Sequence, residues 1–184
     1  SATKSITVSF WINLNGTNTS NNDVVLGMYD SDNDRDRGWG FNFSDNSNRL
    51  DFFVGTKKNN YYEARNTISN TGWHHIVGVY DGKNVIIYID KVKTTGDKTK
   101  NEIQQTNGDL IIGGSPNFGN DFSGQVDEVK IFSNAFDQTA VNNLYDNESA
   151  GRNWDNTVDT RVCNTCECTA KAGSNMVSLP ADLR

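Results

Sequence analysis

The sequence predicts an all-β fold, an antiparallel jelly-roll sandwich with one short helix and an extended tail strand towards its C-terminal end. Three observations indicate this class. Short segments of alternating apolar residues recur up to about residue 132, polar turns rich in Asn, Gly, Ser and Thr separate them, and one helical pattern follows. Many short strands with turns at regular spacing are typical of sandwiches and jelly rolls. The chain of 184 residues is long enough to bury one such core and to carry further segments.

The first predicted strand covers residues 6–14, because apolar residues occupy every second position and Trp11 lies on the opposite face. The same reasoning predicts strands at residues 24–29, 39–43, 50–54, 73–80, 85–89, 110–112 and 122–132. Asp81 and Gly82 predict a tight hairpin between the strands at 73–80 and 85–89, since Gly tolerates a positive φ.

The last strand and the segment after it carry further local signals. Apolar residues keep a period of two up to Val126 and resume it one residue out of phase at Val129, so we expect a β-bulge near Asp127 and Glu128. Asp137 has the properties of a helix N-cap, and the apolar residues that follow it at helical spacing predict one short helix.

The formal net charge of -6 limits the partners of this chain. Nucleic acids and anionic membranes select basic patches, which an acidic chain is poorly equipped to form, whereas calcium ions or neutral glycans suit it. No apolar stretch approaches the roughly 18 residues that span a bilayer. Abundant polar turns, and a chain that begins with Ser and lacks a charged-then-apolar leader, favour a mature secreted or cell-surface protein.

Five segments occur in an order that is typical of one family. They are SFWI at residues 9–12, WHHIVGVYD at 73–81, VIIYID at 85–90, LIIGGS at 110–115 and FSGQVDEVKIF at 122–132. Together they resemble a laminin G-like domain of the concanavalin A-like lectin and glucanase superfamily, over roughly residues 5–146. The resemblance implies a β-sandwich domain at residues 1–146, in which these segments are mostly scaffold.

The resemblance also implies that the first strand of the domain is displaced. Members of the family open with a strand of the type YVxLP before the SFW segment, and here that pattern occurs as NMVSLPADL at residues 175–183. We therefore expect residues 173–184 to form a donor strand, joined by a connector at residues 147–172, that fills a groove beside the first strand. The expected donor residues are Met176, Val177 and Leu179, and the expected acceptor residues are Ile6, Val8, Phe10 and Ile12.

The donor strand has two possible acceptors. It can complete its own domain as a circular permutation, or it can enter the next subunit, as in pilin donor-strand complementation. The connector is long enough for either route. Donation between subunits is head-to-tail and propagates into fibres, so the sequence predicts a non-enzymatic extracellular structural protein, the subunit of a pilus-like homopolymer. A fragment of a tandem array is a further possibility.

The alternative function is a self-complemented laminin G-like module for glycan binding or adhesion. Aromatic side chains exposed on a concave face would favour this alternative, because sugars stack on aromatic rings. The candidates for such a face are Tyr61, Tyr62, Trp39 and Phe118.

All three cysteines, Cys163, Cys166 and Cys168, lie in the connector. In a secreted protein, an odd number of cysteines suggests that at least one thiol is free or paired between chains. A disulfide that staples neighbouring subunits is the expected role. A redox-active Cys-x-x-Cys pair and a site for zinc or another soft metal are the alternatives.

Alternating carboxylates predict a possible calcium site. Asp30, Asp32, Asp34 and Asp36 are expected in one loop before Gly38, where they repel one another unless a hard cation neutralises them. The Gly and Glu that complete an EF-hand loop are missing, so only the local spacing supports Ca²⁺. A solvated acidic turn is the alternative.

Four Asn-x-Ser/Thr sequons, at Asn15, Asn18, Asn42 and Asn147, are candidate glycosylation sites, although chance also produces sequons in so Asn-rich a chain. No pattern for a catalytic site is found. His74 and His75 are adjacent on a predicted strand and point to opposite faces. Asp127 and Glu128 are likewise adjacent, so they do not offer the pair of carboxylates about 5 Å apart that a retaining glycosidase uses.

Overall fold

The computed structural model describes residues 3–16, 23–30, 34–44, 47–57, 60–114 and 122–155. The chain divides into two compact units, Ser1–Phe136 and Asp137–Arg184. The described part of the first unit contains ten strands: β1 (Ile6–Leu14), β2 (Asp23–Asp30), β3 (Asp34–Phe43), β4 (Arg49–Lys57), β5 (Asn60–Thr67), β6 (Gly72–Tyr80), β7 (Asn84–Ile89), β8 (Val92–Lys98), β9 (Leu110–Ile112) and β10 (Gly124–Phe132).

These strands form two antiparallel sheets of five strands each. The first sheet has the order β10-β1-β6-β7-β8, and the second sheet has the order β5-β4-β3-β2-β9. Their apolar faces contribute to one hydrophobic core. The structure therefore confirms the predicted fold class, an antiparallel sandwich of the jelly-roll type.

The core lies between the two sheets because the strands alternate apolar residues with polar ones. Phe10 of β1 packs edge-to-face on Phe41 of β3, with ring centroids 4.9 Å apart. Gly78 of β6 makes room for this contact, since a Cβ there would lie 2.5 Å from the ring of Phe41. Full burial of each large apolar side chain stabilises the fold by about 1.5–3 kcal/mol.

The edge strands β5 and β8 close one side of the sandwich. The backbone N–H of Glu63 donates to Oδ2 of Asp97 at 3.0 Å. Gly96 of β8 approaches β5 so closely that a Cβ would lie 2.1 Å from the carbonyl oxygen of Glu63. Neither strand was predicted from the sequence, because edge strands expose polar and charged residues that obscure apolar alternation.

Two hairpin turns are built by aspartates. At the predicted turn, Oδ1 of Asp81 accepts hydrogen bonds from the backbone N–H groups of Lys83 at 2.9 Å and Asn84 at 2.6 Å, and Gly82 has a φ of 85°. Asp90 and Lys91, between β7 and β8, have φ values of 49° and 71°. Two successive positive φ values are typical of the type I′ turn that suits the twist of a hairpin.

The second unit contains one described helix, α1 (Gln138–Ser149). As predicted, Asp137 is its N-cap, and its Oδ1 accepts a hydrogen bond from the backbone N–H of Ala140 at 2.8 Å. Val141 and Leu144 are its buried residues. In the described part of the chain, no helix has the length and apolar character needed to cross a membrane.

Candidate functional site

Several predicted site residues lie outside the described residues, namely Asn18, Asp32, Phe118, Cys163, Cys166, Cys168, Met176, Val177 and Leu179. The side chains of Asp30, Asp34 and Asp36 also lie outside the described part. The backbone places Asp34 and Asp36 in β3, not in the expected loop, and it pairs Asp34 with Asp30 of β2. The calcium, disulfide and donor-strand assignments therefore stay predictions.

The prediction of an open acceptor groove beside the first strand is wrong. β1 is paired along one edge with β10 and along the other with β6, both from the same chain. The expected acceptor residues are fully buried in the core: Ile6, Val8, Phe10 and Ile12. Because both rows of backbone groups of β1 are already used, a donated strand has no edge to join at this position.

The sequons at the three described asparagines differ in their surroundings. Asn15 is exposed after β1. Asn42 is a buried residue of β3, 2% exposed, and its Nδ2 donates to the carbonyl oxygen of Phe43 at 3.3 Å. Glycosylation of Asn42 is therefore incompatible with this fold, since a glycan needs a surface position. The Nδ2 of Asn147, in the last turn of α1, donates to the carbonyl oxygen of Trp154 at 3.3 Å.

The two histidines of β6 point to opposite faces, as predicted. His74 lies opposite Ile12 on the inner face, and its Nδ1 is 2.7 Å from Oδ2 of Asp90. His75 lies opposite Trp11 on the outer face, and its Nε2 is 2.8 Å from Oγ of Ser9. Burial lowers the pKa of His75 to about 3, with a smaller opposing effect of Asp90. His75 is therefore neutral at physiological pH and is a structural residue of the sheet.

A β-bulge in β10 is confirmed at the predicted position. Lys130 pairs with Ser9, whereas Trp11 pairs with Asp127, so the register shifts between these two pairs. Glu128 has a φ of 52°, and its backbone N–H donates to Oδ1 of Asp127 at 2.8 Å. Bulges commonly redirect a side chain near a site. Here the extra residue places Asp127, not Glu128, directly across from Trp11.

The outer face of the first sheet is covered at one end and exposed at the other. At the covered end, Oγ1 of Thr7 donates to the carbonyl oxygen of Asn134 at 2.7 Å and accepts from the backbone N–H of Phe136 at 2.9 Å. Phe136 also packs on Phe132, with ring centroids 4.5 Å apart. The segment after β10 therefore crosses the outer face at the level of Thr7.

At the exposed end, three strands bring together two tryptophans and three polar residues. In register, Gln125 of β10 faces Asn13 of β1, which faces Trp73 of β6; in the next row Asp127 faces Trp11. Residues directly opposite in an antiparallel pair share a face, so these five side chains form one surface. We call it the Trp11–Trp73 surface: Trp11, Asn13, Trp73, Gln125 and Asp127. Trp73 is 46% exposed, and Gln125 and Asp127 are exposed.

The polar part of this surface is partly pre-arranged. Nδ2 of Asn13 donates to Oε1 of Gln125 at 3.0 Å. That bond uses the amide N–H of one residue and the carbonyl of the other, so it leaves the Asn13 carbonyl as an acceptor and the Gln125 amide N–H group as a donor. The ring of Trp11 rests on His75, with centroids 5.1 Å apart. The surface can therefore offer stacking area and hydrogen bonds with little rearrangement.

Of the aromatic residues expected on a concave face, the three that the structure describes do not share an exposed surface. Trp39 is buried in the core. Tyr62 lies on the inner face of the second sheet and packs against the same core. Tyr61 is 42% exposed on the outer face of the second sheet, where it contacts the buried Phe53 at a centroid distance of 6.5 Å. The sequence signal for the exposed surface is Trp11, the one aromatic residue on the polar face of β1.

Comparisons with known proteins agree with this fold. A laminin G-type family profile, described as the concanavalin A-like lectin/glucanases superfamily, matches residues 1–142. No curated protein matches the sequence. Among solved structures, the binding domain of botulinum neurotoxin serotype G is similar at 18% identity, with a TM-score of 0.62, over 80% of this chain and 37% of that chain.

A second similar structure is the binding domain of botulinum neurotoxin DC in complex with SialylT, with 19% identity and a TM-score of 0.56, over 78% of this chain and 35% of that chain. The chain thus spans little more than a third of the length of these structures, and at such identities the likeness is one of fold. The family profile, in contrast, covers most of the chain. The chain belongs to the concanavalin A-like lectin/glucanase superfamily, in its laminin G-like branch.

Proposed function

We propose that this protein is a non-enzymatic carbohydrate-binding and adhesion module that acts outside the cell, and that the Trp11–Trp73 surface holds the sugar. One observation carries the proposal: an exposed indole, Trp73, shares a face with a second indole, Trp11, among amide and carboxylate groups. Exposure of a large aromatic side chain to water is unfavourable. An exposed apolar patch with polar groups around it is typical of a binding site.

The chemistry of a sugar matches this arrangement. Its ring presents an apolar C–H face that packs on an indole, while its hydroxyls both donate and accept hydrogen bonds. Three neighbouring strands span about 10 Å, and two rows of one face lie about 7 Å apart along the strand. The surface therefore has room for one or two sugar rings.

The comparisons support the same class of function. The family is named for lectins and glucanases, and two of the similar structures are described as binding domains, one of them in complex with SialylT. A shallow site for one or two rings binds weakly. For a hexose of about twelve heavy atoms at about -0.3 kcal/mol per atom, we expect a Kd on the order of 1 mM.

The test compares two exposed aromatic residues on different sheets. Trp73→Ala removes the stacking platform, and Tyr61→Ala is the matched control, because Tyr61 has a similar exposure on the second sheet. We expect Trp73→Ala to weaken glycan binding at least about tenfold in ligand-observed NMR, with an unchanged melting temperature, and Tyr61→Ala to bind normally. Equal binding by wild type and Trp73→Ala would remove the surface from consideration.

Assembly into a filament by a donated C-terminal strand stays a separate prediction. The edges of β1 are occupied, so residues 173–184 would have to join a different strand edge. Deletion of residues 173–184 tests the idea by light scattering and negative-stain microscopy. Filaments of the full chain that disappear on deletion would support donation, and a full chain that is monomeric at high concentration would contradict it.

A further inference from the structure

We propose that the Trp11–Trp73 surface selects uncharged glycans with neighbouring free hydroxyls and disfavours glycans that end in a carboxylated or sulfated sugar. The inference rests on the proposed function and specifies its ligand class. Asp127 is the residue that makes the selection, because it is the charged member of the surface and stands beside the stacking platform.

The bulge fixes the position of the Asp127 carboxylate. Its Oδ1 accepts a hydrogen bond from the backbone N–H of Glu128 at 2.8 Å. This bond holds the side chain opposite Trp11 instead of leaving it to rotate freely. Each carboxylate oxygen has two lone pairs, so acceptor capacity remains after that bond is made. A carboxylate at pH 7 accepts hydrogen bonds and donates none, so it suits hydroxyl donors.

The neighbouring amides complete a pattern for two adjacent hydroxyls. The Asn13–Gln125 bond leaves one carbonyl and one amide N–H group for further hydrogen bonds, in the row next to Asp127. A sugar stacked on Trp73 can place one hydroxyl against the amide pair and the next against the carboxylate. Charged acceptors form stronger hydrogen bonds than neutral ones, so the carboxylate contributes most of this polar recognition.

The described charges next to Asp127 along β10 form an ion pair of their own. Lys130, opposite Ser9 on the same face, makes a salt bridge with Glu128, and its side chain is 17% exposed. His75 beneath Trp11 is neutral, because burial lowers its pKa to about 3. An anionic sugar would therefore meet a surface of net negative charge. Two like charges about 6 Å apart lose about threefold in affinity in water-like surroundings, and more where water is partly excluded.

The experiment uses ligand-observed NMR on glycan pairs that are identical except for a terminal sialic acid, each measured with the full chain and its variants. We expect the uncharged member of each bound pair to bind at least about threefold more tightly. Asp127→Asn should weaken binding of the uncharged member and reduce the difference in affinity between the two members of the pair. Asp109→Asn is the matched control, because it removes the same charge at an exposed position outside this surface. This variant should leave the ratio of the two affinities unchanged.

The outcomes separate this inference from the proposed function. Binding that depends on Trp73 but is equal or stronger for the sialylated member, with no effect of Asp127→Asn, would overturn the selectivity and leave the glycan-binding function standing. Absence of binding to every glycan of the panel at millimolar concentration in NMR would overturn both. Asp127→Asn keeps an oxygen that can accept from Glu128, so a normal melting temperature will show that the bulge is intact.

Discussion

The imidazole of His75 packs against the indole of Trp11, with ring centroids 5.1 Å apart and ring planes inclined by 42°. Two further contacts fix the position of His75. Its Nε2 lies 2.8 Å from Oγ of Ser9, and its backbone N–H donates to Oδ1 of Asp90 at 2.9 Å. A neutral, buried ring thus contacts one of the two tryptophans of the Trp11–Trp73 surface. This relationship links the stability of the first sheet to the geometry of its outer surface.

The first prediction concerns acid stability. The pKa of His75 falls from 6.5 to about 3 on folding because burial disfavours its charged form. The unfolded chain therefore takes up a proton first as the pH falls, so the stability that His75 contributes is complete above about pH 6.5 and is lost as the pH falls towards 3. The expected slope is at most about 1.4 kcal/mol per pH unit.

Urea unfolding at pH 7.5, 6.0 and 5.0 measures this slope, with His75→Gln as the variant in which it should flatten. If that variant fails to fold, NMR titration of the wild-type imidazole provides an independent test. A His75 signal that titrates near pH 6.5 in the folded protein would contradict the prediction.

The second prediction concerns the turn between β7 and β8. Lys91 has a φ of 71°, a conformation that costs a residue with a side chain about 1–2 kcal/mol. Lys91→Gly should therefore raise the free energy of unfolding by about 0.5–1 kcal/mol. Asp90→Gly should lower it by about 1–3 kcal/mol, because Asp90 bonds to His74 and to the backbone of His75. Thermal unfolding of both variants checks the two signs, and a shift of both in the same direction would contradict the account.

The third prediction concerns the closed side of the sandwich. A Cβ on Gly96 would lie 2.1 Å from the carbonyl oxygen of Glu63 and 2.5 Å from Cα of Ala64. Gly96→Ala should force β8 away from β5 and destabilise the fold by about 1–3 kcal/mol. Thr95→Ala, at the exposed position next to it, should change stability by less than about 0.5 kcal/mol. Chemical denaturation compares the two, and equal effects would show that β8 adapts to the added methyl group.

The fourth prediction concerns the acidic residues from the end of β2 to the start of β3. If Ca²⁺ binds there, replacement of Asp32 and Asp34 by Asn should lower the melting temperature in calcium and leave it unchanged in chelator. Wild-type protein with the same melting temperature in calcium and in chelator would remove the site.

Local chemistry explains why parts of this fold were predictable. The Asp81–Gly82 hairpin, the Asp137 N-cap and the bulge at Asp127 and Glu128 each follow from residues that are close in sequence, and all three are found where they were expected. The strands β5 and β8 escaped prediction because their edges carry polar residues. The burial of Asn42 also escaped prediction, because a sequon records residue types and not the side of the sheet.

The sequence by itself determined the class of the fold and most of its strands, since apolar alternation and turn residues act over a few positions. The order of five segments carried the resemblance to the family. Only the tertiary structure decided what those strands do together. It placed β1 between β10 and β6, which occupies the edge that a donated strand was expected to fill. It also joined Trp11, Trp73 and Asp127 on one surface. Cross-strand register creates such neighbours between residues far apart in the chain, and a shift of one residue would send each side chain to the other face.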